Sequence, residues 1–192
     1  MKLSEFAKRK ATIHTRDIRL ATHPHKHSEI IVEGTLIDKS HRDTFDIIGK
    51  IRKPGIIHHI AVWLLIKGNP LKIAHAEAQM YRVPMDECKS TLVTTLEKIV
   101  GVEVKPGYSN TIRKTIGGKN GCTHLAHLIT IMGQEIVHGW LIDKRRQKLP
   151  VPDSMENFTG NEYILNSCKM WSKGGPRWKI LKKALQQKTN QA

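Results

Sequence analysis

The chain has few cysteines, few aromatic residues and no signal-peptide pattern. Three of its 192 residues are cysteines, at positions 88, 122 and 168, and aromatic residues make up 5%. An odd cysteine count without regular spacing excludes a scaffold built on disulfides. The N-terminus carries charges and lacks the apolar stretch that a signal peptide contains. We therefore expect reduced thiols and a cytoplasmic location.

Long apolar runs are missing as well. The longest one, from Ile56 to Ile66, is interrupted by His58 and His59. It is about half of the roughly 20 residues that a helix needs to cross a bilayer. We therefore expect no membrane-spanning segment.

Acidic residues are scarce relative to basic ones. The chain has 32 Lys and Arg against 17 Asp and Glu, which gives a formal net charge of +15. This excess favours anionic partners such as nucleic acid or an acidic protein, and it does not choose between them. A hydrophobic content of 39% and a charged content of 26% are typical of a globular chain.

The pattern of apolar residues divides the chain into three parts. Residues 1–28 are a basic lead-in, residues 29–146 form an α+β core domain, and residues 147–192 are a basic appendage of one or two helices. Alternating and continuous apolar segments predict four strands, over residues 29–37, 45–51, 57–66 and 71–78.

Helical spacing follows these strands. It predicts a helix capped by Asp86 and ended by Gly101, a short helix over 109–116, and a long one over 123–141. The expected fold class is α+β, with a small antiparallel meander sheet of about four strands and two to three helices packed on one face.

Two cysteines stand at predicted helix N-termini. Cys88 follows Asp86, and Cys122 follows a glycine-rich turn whose amides could face a ligand. The positive end of a helix dipole favours the thiolate, which is the form that binds metal or attacks a substrate. The alternative for each is a buried small hydrophobe, and it carries more weight for Cys88 than for Cys122. Cys168 is expected to be structural or incidental.

Histidines provide further candidate ligands. His124 lies in the first turn after Cys122, whereas His127 and His138 are expected on the surface. His58 and His59 point to opposite faces of their strand, so only one of them can join a site under the helices. Cys88, Cys122, His124 and either His58 or His59 would together suit zinc or iron.

Several sequence segments resemble those of a bacterial protein family that is known only as a domain of unknown function, numbered 2889. They are Ile73-Ala74-His75-Ala76-Glu77-Ala78, Tyr81-Arg82-Val83-Pro84 and Gly117-Gly118-x-x-Gly121-Cys122-Thr123-His124-Leu125. The resemblance covers roughly residues 29–140, and Gly-Cys-Thr-His-Leu is its most specific part. It implies no activity.

A more distant resemblance links the chain to iron–sulfur scaffold proteins of the NifU and IscU type. Cys88, ahead of a helix, resembles the second cysteine of that pattern, and Cys122 resembles the third. The resemblance implies a SufE/NifU-like fold and a metal-binding role. The sequence departs from the pattern, since His58 or His59 would replace the first cysteine. A Cys-Cys-His site suits mononuclear zinc or iron as well as a [2Fe–2S] cluster.

The leading hypothesis is therefore a cytoplasmic metal-binding protein that acts as a cluster scaffold or a metal carrier. A second hypothesis is an enzyme with Cys122 as nucleophile or His124 as proton carrier, although no base with an orienting partner is visible. A third is nucleic-acid binding through the basic ends, above all residues 171–183, where tryptophans interleave with basic residues. The alternative to this third hypothesis is a solvent-exposed basic helix whose tryptophans pack against the rest of the protein.

Overall fold

The computed structural model describes residues 2–26, 28–90 and 92–189. Residues 1, 27, 91 and 190–192, which belong to the predicted lead-in, first helix and appendage, lie outside the described part. The strands are β1 (His14–Pro24), β2 (Ile30–Ser40), β3 (Thr44–Phe45), β4 (Ile51–Arg52), β5 (Gly55–Lys67) and β6 (Lys72–Arg82). The helices are α1 (Leu3–Lys8), α2 (Glu87–Ser90), α3 (Leu92–Glu97), α4 (Tyr108–Ile116), α5 (Thr123–Lys144), α6 (Asn161–Ile164) and α7 (Pro176–Thr189).

Four long strands form one antiparallel sheet in the order β1-β2-β5-β6. Between β2 and β5 the small β3–β4 hairpin forms a separate two-stranded sheet. The even-numbered residues of β2, and those of β5 from residue 60 to residue 66, are buried under the helices because successive side chains of a strand point to opposite faces. The predicted fold class, an α+β meander with helices on one face, is confirmed.

The first strand differs from the one expected. Residues 14–24, within the predicted lead-in, form β1 and pair with β2 along its whole length. Residues 45–51, predicted as a strand of the sheet, instead hold a turn in which the Asp46 carboxylate accepts the N–H groups of Ile48 and Lys50. Ile47 and Ile48 are exposed at its tip. Two adjacent apolar residues in a turn, here Ile47 and Ile48, produce a sequence pattern that resembles that of a strand.

The predicted helices are found close to their expected bounds. The α4 and α5 helices match the predictions over 109–116 and 123–141, and α5 extends one turn further. In the region between Asp86 and Gly101, where we expected one helix, the described residues on both sides of position 91 are helical, as α2 and α3.

The long helix α5 lies across β1 and β2 and fixes the position of its own N-terminus. A Cβ atom on Gly34 of β2 would lie 2.8 Å from the sulfur of Met132, and one on Gly139 would overlap the side chain of Thr22 on β1. Glycine at these two positions therefore allows the helix to lie close to the sheet. These two close contacts fix the helix on the sheet so that the first turn of α5 lies over the end of β2.

The appendage packs on the outer side of the core. The Tyr163 hydroxyl accepts a hydrogen bond from the buried Leu71 amide at 2.8 Å, and its ring meets Trp140 edge to face. Ile164 is buried, and Trp171 stacks on Phe158. Among the described residues, we find no helix with the length and apolarity that a bilayer crossing requires.

Candidate functional site

Three polar residues form a row across the sheet on its helix-covered face. Arg16 of β1 is paired in register with Asp38 of β2, and Asp38 is paired with His58 of β5. The strand positions before Asp38 on this face of β2 are occupied by buried apolar residues and Gly34. Asp38 lies at the end of this face and is buried, with only 3% of its side chain exposed.

Asp38 is the centre of this group. The Arg16 guanidinium donates from Nε to Oδ1 at 2.6 Å and from Nη2 to Oδ2 at 2.8 Å, a two-point contact. The His58 Nδ1 atom lies 3.1 Å from Oδ2, which is hydrogen-bonding distance. His14, at the exposed edge, has its Nε2 atom 3.7 Å from Oδ1.

His124 reaches the same carboxylate from the first turn of α5. Its Nε2 atom is 3.8 Å from Asp38 Oδ2, and its ring centroid is 3.8 Å from that of His58 with planes inclined by 30°. The glycine-rich turn before α5 makes this approach possible. A Cβ atom on Gly121 would lie 2.6 Å from the carbonyl oxygen of Ile116, so only glycine fits where α5 turns back from α4.

Charge and burial fix the protonation of the three groups. The two-point contact with Arg16 is the main reason that the pKa of Asp38 is below its ordinary value. Burial lowers the pKa of His58, and the neighbouring Asp38 charge offsets this only in part. Burial followed by the charge of His58 lowers the pKa of His124. At neutral pH the group therefore presents one carboxylate and two uncharged imidazoles.

This arrangement has the composition and spacing of a metal-ligand group. One ligand atom from each of Asp38, His58 and His124 lies within 4.8 Å of the other two. Ligands bound at about 2.0–2.2 Å to one ion, at tetrahedral or octahedral angles, are roughly 3.0–3.4 Å apart. The measured 3.1 Å and 3.8 Å between the carboxylate and the two imidazoles are close to that range.

The structure brings together two of the predicted ligands. His58 and His124 meet, whereas the His59 ring lies on the opposite face of the sheet, 4.6 Å from the ring of Tyr81. This is the outcome that strand alternation requires for adjacent histidines. His127 and His138 are exposed, as expected.

The cysteines lie outside this group. Among residues 2–26, 28–90 and 92–189, the group of three metal-ligand side chains includes neither Cys88 nor Cys122. Both are half-buried and pack against the apolar core, while Cys168 is exposed. Cys122 is the N-cap residue of α5. Both side chains therefore contact the apolar core at positions outside the group around Asp38.

Sequence reasoning missed Asp38 and Arg16. Asp38-Lys39-Ser40 is typical of a turn, but β2 continues to Ser40. One signal was present: Asp38 continues the alternation of the apolar positions Val32 and Leu36 that faces the helices. A charged residue at such a position marks a buried polar site.

The tryptophans of the basic appendage are used in packing. Trp171 stacks on Phe158 and packs against the core, and Trp178 is half-buried. The basic residues of α7 are exposed, namely Arg177, Lys179, Lys182, Lys183 and Lys188. The appendage therefore offers cations to an anionic partner, while Trp171 is engaged inside the protein.

Comparison with known proteins places the chain in a family. The family model described as "Protein of unknown function (DUF2889)" matches residues 14–152, a range that contains Arg16, Asp38, His58 and His124. No curated protein and no solved structure matches the chain. The likeness to NifU and IscU stays a hypothesis from the sequence. Since the match extends over well more than half of its length, the chain belongs to the DUF2889 family of proteins of unknown function.

Proposed function

We propose that this protein binds one divalent transition-metal ion through Asp38, His58 and His124. The observation that supports the proposal is the convergence of three ligand atoms within 4.8 Å at the point where α5 meets the sheet. Metal binding requires deprotonated ligands. The lowered pKa values of all three groups provide that state at neutral pH.

The ligand set favours a single zinc or iron ion. Two histidines and one carboxylate are the ligands of mononuclear ferrous sites and of many zinc sites, and they leave positions open for water or a substrate. A [2Fe–2S] cluster is held chiefly by cysteine thiolates. A role as metal carrier or metal-dependent catalyst agrees with this ligand set better than a role as cluster scaffold.

Arg16 would support the site from outside. Its two hydrogen bonds hold the Asp38 carboxylate in one orientation. Partners of this kind orient metal ligands in proteins. Its positive charge also opposes a bound cation, so Arg16 acts on metal affinity in two opposite directions.

Binding of cobalt(II) to the metal-free protein tests the proposal. We expect one ion per chain and a visible spectrum of oxygen and nitrogen ligation, without the intense near-ultraviolet bands that a thiolate ligand produces. The variants His58→Ala and His124→Ala should each lose more than about 100-fold in affinity, since changes outside the ligand shell alone cost about 10- to 100-fold.

Matched controls are available on the same elements. His59→Ala changes the neighbouring residue of β5 on the other sheet face, and His127→Ala changes an exposed residue of α5. Both should bind cobalt as the unchanged protein does, as should Cys88→Ser and Cys122→Ser. Equal binding by His58→Ala, His124→Ala and these controls would refute the site. If thiolate absorption bands are present and disappear in Cys122→Ser, the cysteines and not the histidines are the metal ligands.

A second candidate function is proton transfer, and the contact between His58 and Asp38 favours it. A carboxylate at 3.1 Å from Nδ1 orients an imidazole and leaves its other nitrogen to accept a proton. His124 stacks beside it as a second proton carrier. In this case the protein purifies without metal and binds cobalt no better than His58→Ala does.

A further inference from the structure

A broad groove lies on the side of α5 that faces away from the sheet. Its walls are the start of α4, the outer face of α5 and the segment around α6, and it encloses about 1370 Å³. This exceeds the roughly 300–1,000 Å³ that is common for sites of small ligands. The metal-ligand group proposed above lies at the opposite face of α5 and shares no residue with the groove.

The groove has an apolar lining. Tyr108 and Leu141, both buried, contribute to it from α4 and α5, and Leu165 and Trp171 contribute from the appendage. An apolar surface of this kind binds the hydrocarbon part of a ligand.

Two arginines border this apolar surface. Arg113 and Arg145 line the groove and are exposed, and neither forms an ion pair with any described acidic residue. Lys105 also lines the groove, but its charge is paired with Glu103 at 2.7 Å. The acidic residue of the lining is Glu162, which lies beyond ion-pair distance of both arginines. The net charge of the groove therefore favours an anion.

We propose that this groove binds a long-chain carboxylate, with its hydrocarbon part along the apolar lining and its carboxylate at one of the two bordering arginines, Arg113 or Arg145. Planar guanidinium groups are well suited to a carboxylate, because they form charge-assisted hydrogen bonds in pairs. The outer wall comes from residues 162–171, beyond the family match at 14–152, so the site depends on the appendage.

Binding of dodecanoate, measured by calorimetry on the full chain at concentrations below micelle formation, tests the inference. Dodecylammonium, which has the same tail and the opposite charge, is the matched ligand. We expect dodecanoate to bind at least about tenfold more tightly, as charge-assisted hydrogen bonds predict. The fluorescence of Trp171 should change on binding and the change should be absent in Trp171→Phe.

The double variant Arg113→Gln/Arg145→Gln should lose about tenfold or more in affinity for dodecanoate. Arg19→Gln, an exposed arginine of β1 at the other side of the protein, is the control and should bind as the unchanged chain does. Equal affinity for the two ligands, or an unchanged affinity in the double variant with circular dichroism of a folded protein, would overturn the proposal.

Discussion

The imidazole rings of His58 and His124 lie with their centroids 3.8 Å apart, although one belongs to the sheet and the other to α5. Two imidazoles in such contact cannot both carry a charge without repulsion, and burial lowers the pKa of each. Neutral histidines beside an ionised Asp38 form the group on which the metal proposal rests. The protein's stability should therefore depend on what occupies the site.

The first prediction is that zinc stabilises the folded chain. A ligand that binds only the native state adds about 2.7 kcal/mol to the free energy of unfolding at 100 times its dissociation constant. Urea unfolding of chelator-treated protein, with and without zinc, measures this difference. We expect a gain for the unchanged protein and for His59→Ala. A similar gain in His58→Ala would show that zinc binds elsewhere.

The second prediction concerns Arg16, whose charge acts in two opposite ways. An ion bound to Asp38 Oδ2 would lie within about 5 Å of Arg16 Nη2, given the 2.8 Å hydrogen bond and a metal–oxygen bond of about 2.1 Å. Repulsion at that distance is several kcal/mol at an effective dielectric constant of about 20, and solvent reduces it. The orienting effect of an outer partner is about 1.4–2.8 kcal/mol, so repulsion is the larger of the two effects.

Replacement of Arg16 by a neutral residue of similar length should separate charge repulsion from the orienting effect. Arg16→Met should bind zinc at least about tenfold more tightly. The metal-free variant should be about 1–3 kcal/mol less stable because a buried carboxylate loses its partner. Calorimetry and urea unfolding measure the two quantities, with Arg19→Met on the other face of β1 as the control. A lower zinc affinity would mean that orientation outweighs repulsion.

The third prediction is a loss of stability of the metal-free protein in weak acid. In the unfolded chain, histidines take up protons near pH 6.5, whereas the folded state holds His58 and His124 neutral to lower pH. The unfolded state thus binds more protons below about pH 6.5, and stability falls as the pH falls toward the folded pKa values. Asp38 adds a further loss below its unfolded pKa of about 3.9, as the pH falls through its lower folded pKa.

The chain contains 11 histidines, so the test is a comparison of variants. Each of the two contributes at most about 1.4 kcal/mol per pH unit. Urea unfolding between pH 7.5 and 5 should show a shallower pH dependence for His58→Gln/His124→Gln than for the unchanged protein. Parallel curves would contradict the assigned protonation states.

Much of the fold could be predicted because it follows from local periodicity. The alternation in β2 and β5 and the helical spacing of α4 and α5 are visible in sequence. The edge strand β1 could not be recognised because its polar and basic residues outnumber the apolar ones that pack on the core, Ile18 and Leu20. Its pairing with β2 depends on the tertiary structure.

The site could be predicted only in part, for a related reason. Strand alternation predicted that only one of the adjacent His58 and His59 could face the helices, and it left open which one; the helix position made His124 a further candidate. Asp38 joins them through the register between β2 and β5, and no local pattern specifies that register. The position of Cys88 and Cys122 near helix N-termini contains no information on which strand residues lie beneath these helices.

The last prediction concerns the contact that joins the appendage to the core. The Tyr163 hydroxyl accepts the amide hydrogen of Leu71, a residue with 0% exposure. In Tyr163→Phe that amide has lost its acceptor, which costs about 1–3 kcal/mol for a buried group. We expect faster proteolysis after residue 146 and weaker dodecanoate binding, because α6 forms one wall of the groove. Tyr81→Phe, an exposed tyrosine of β6, is the control. Equal protease resistance in the two variants would show that Tyr163 does not hold the appendage in place.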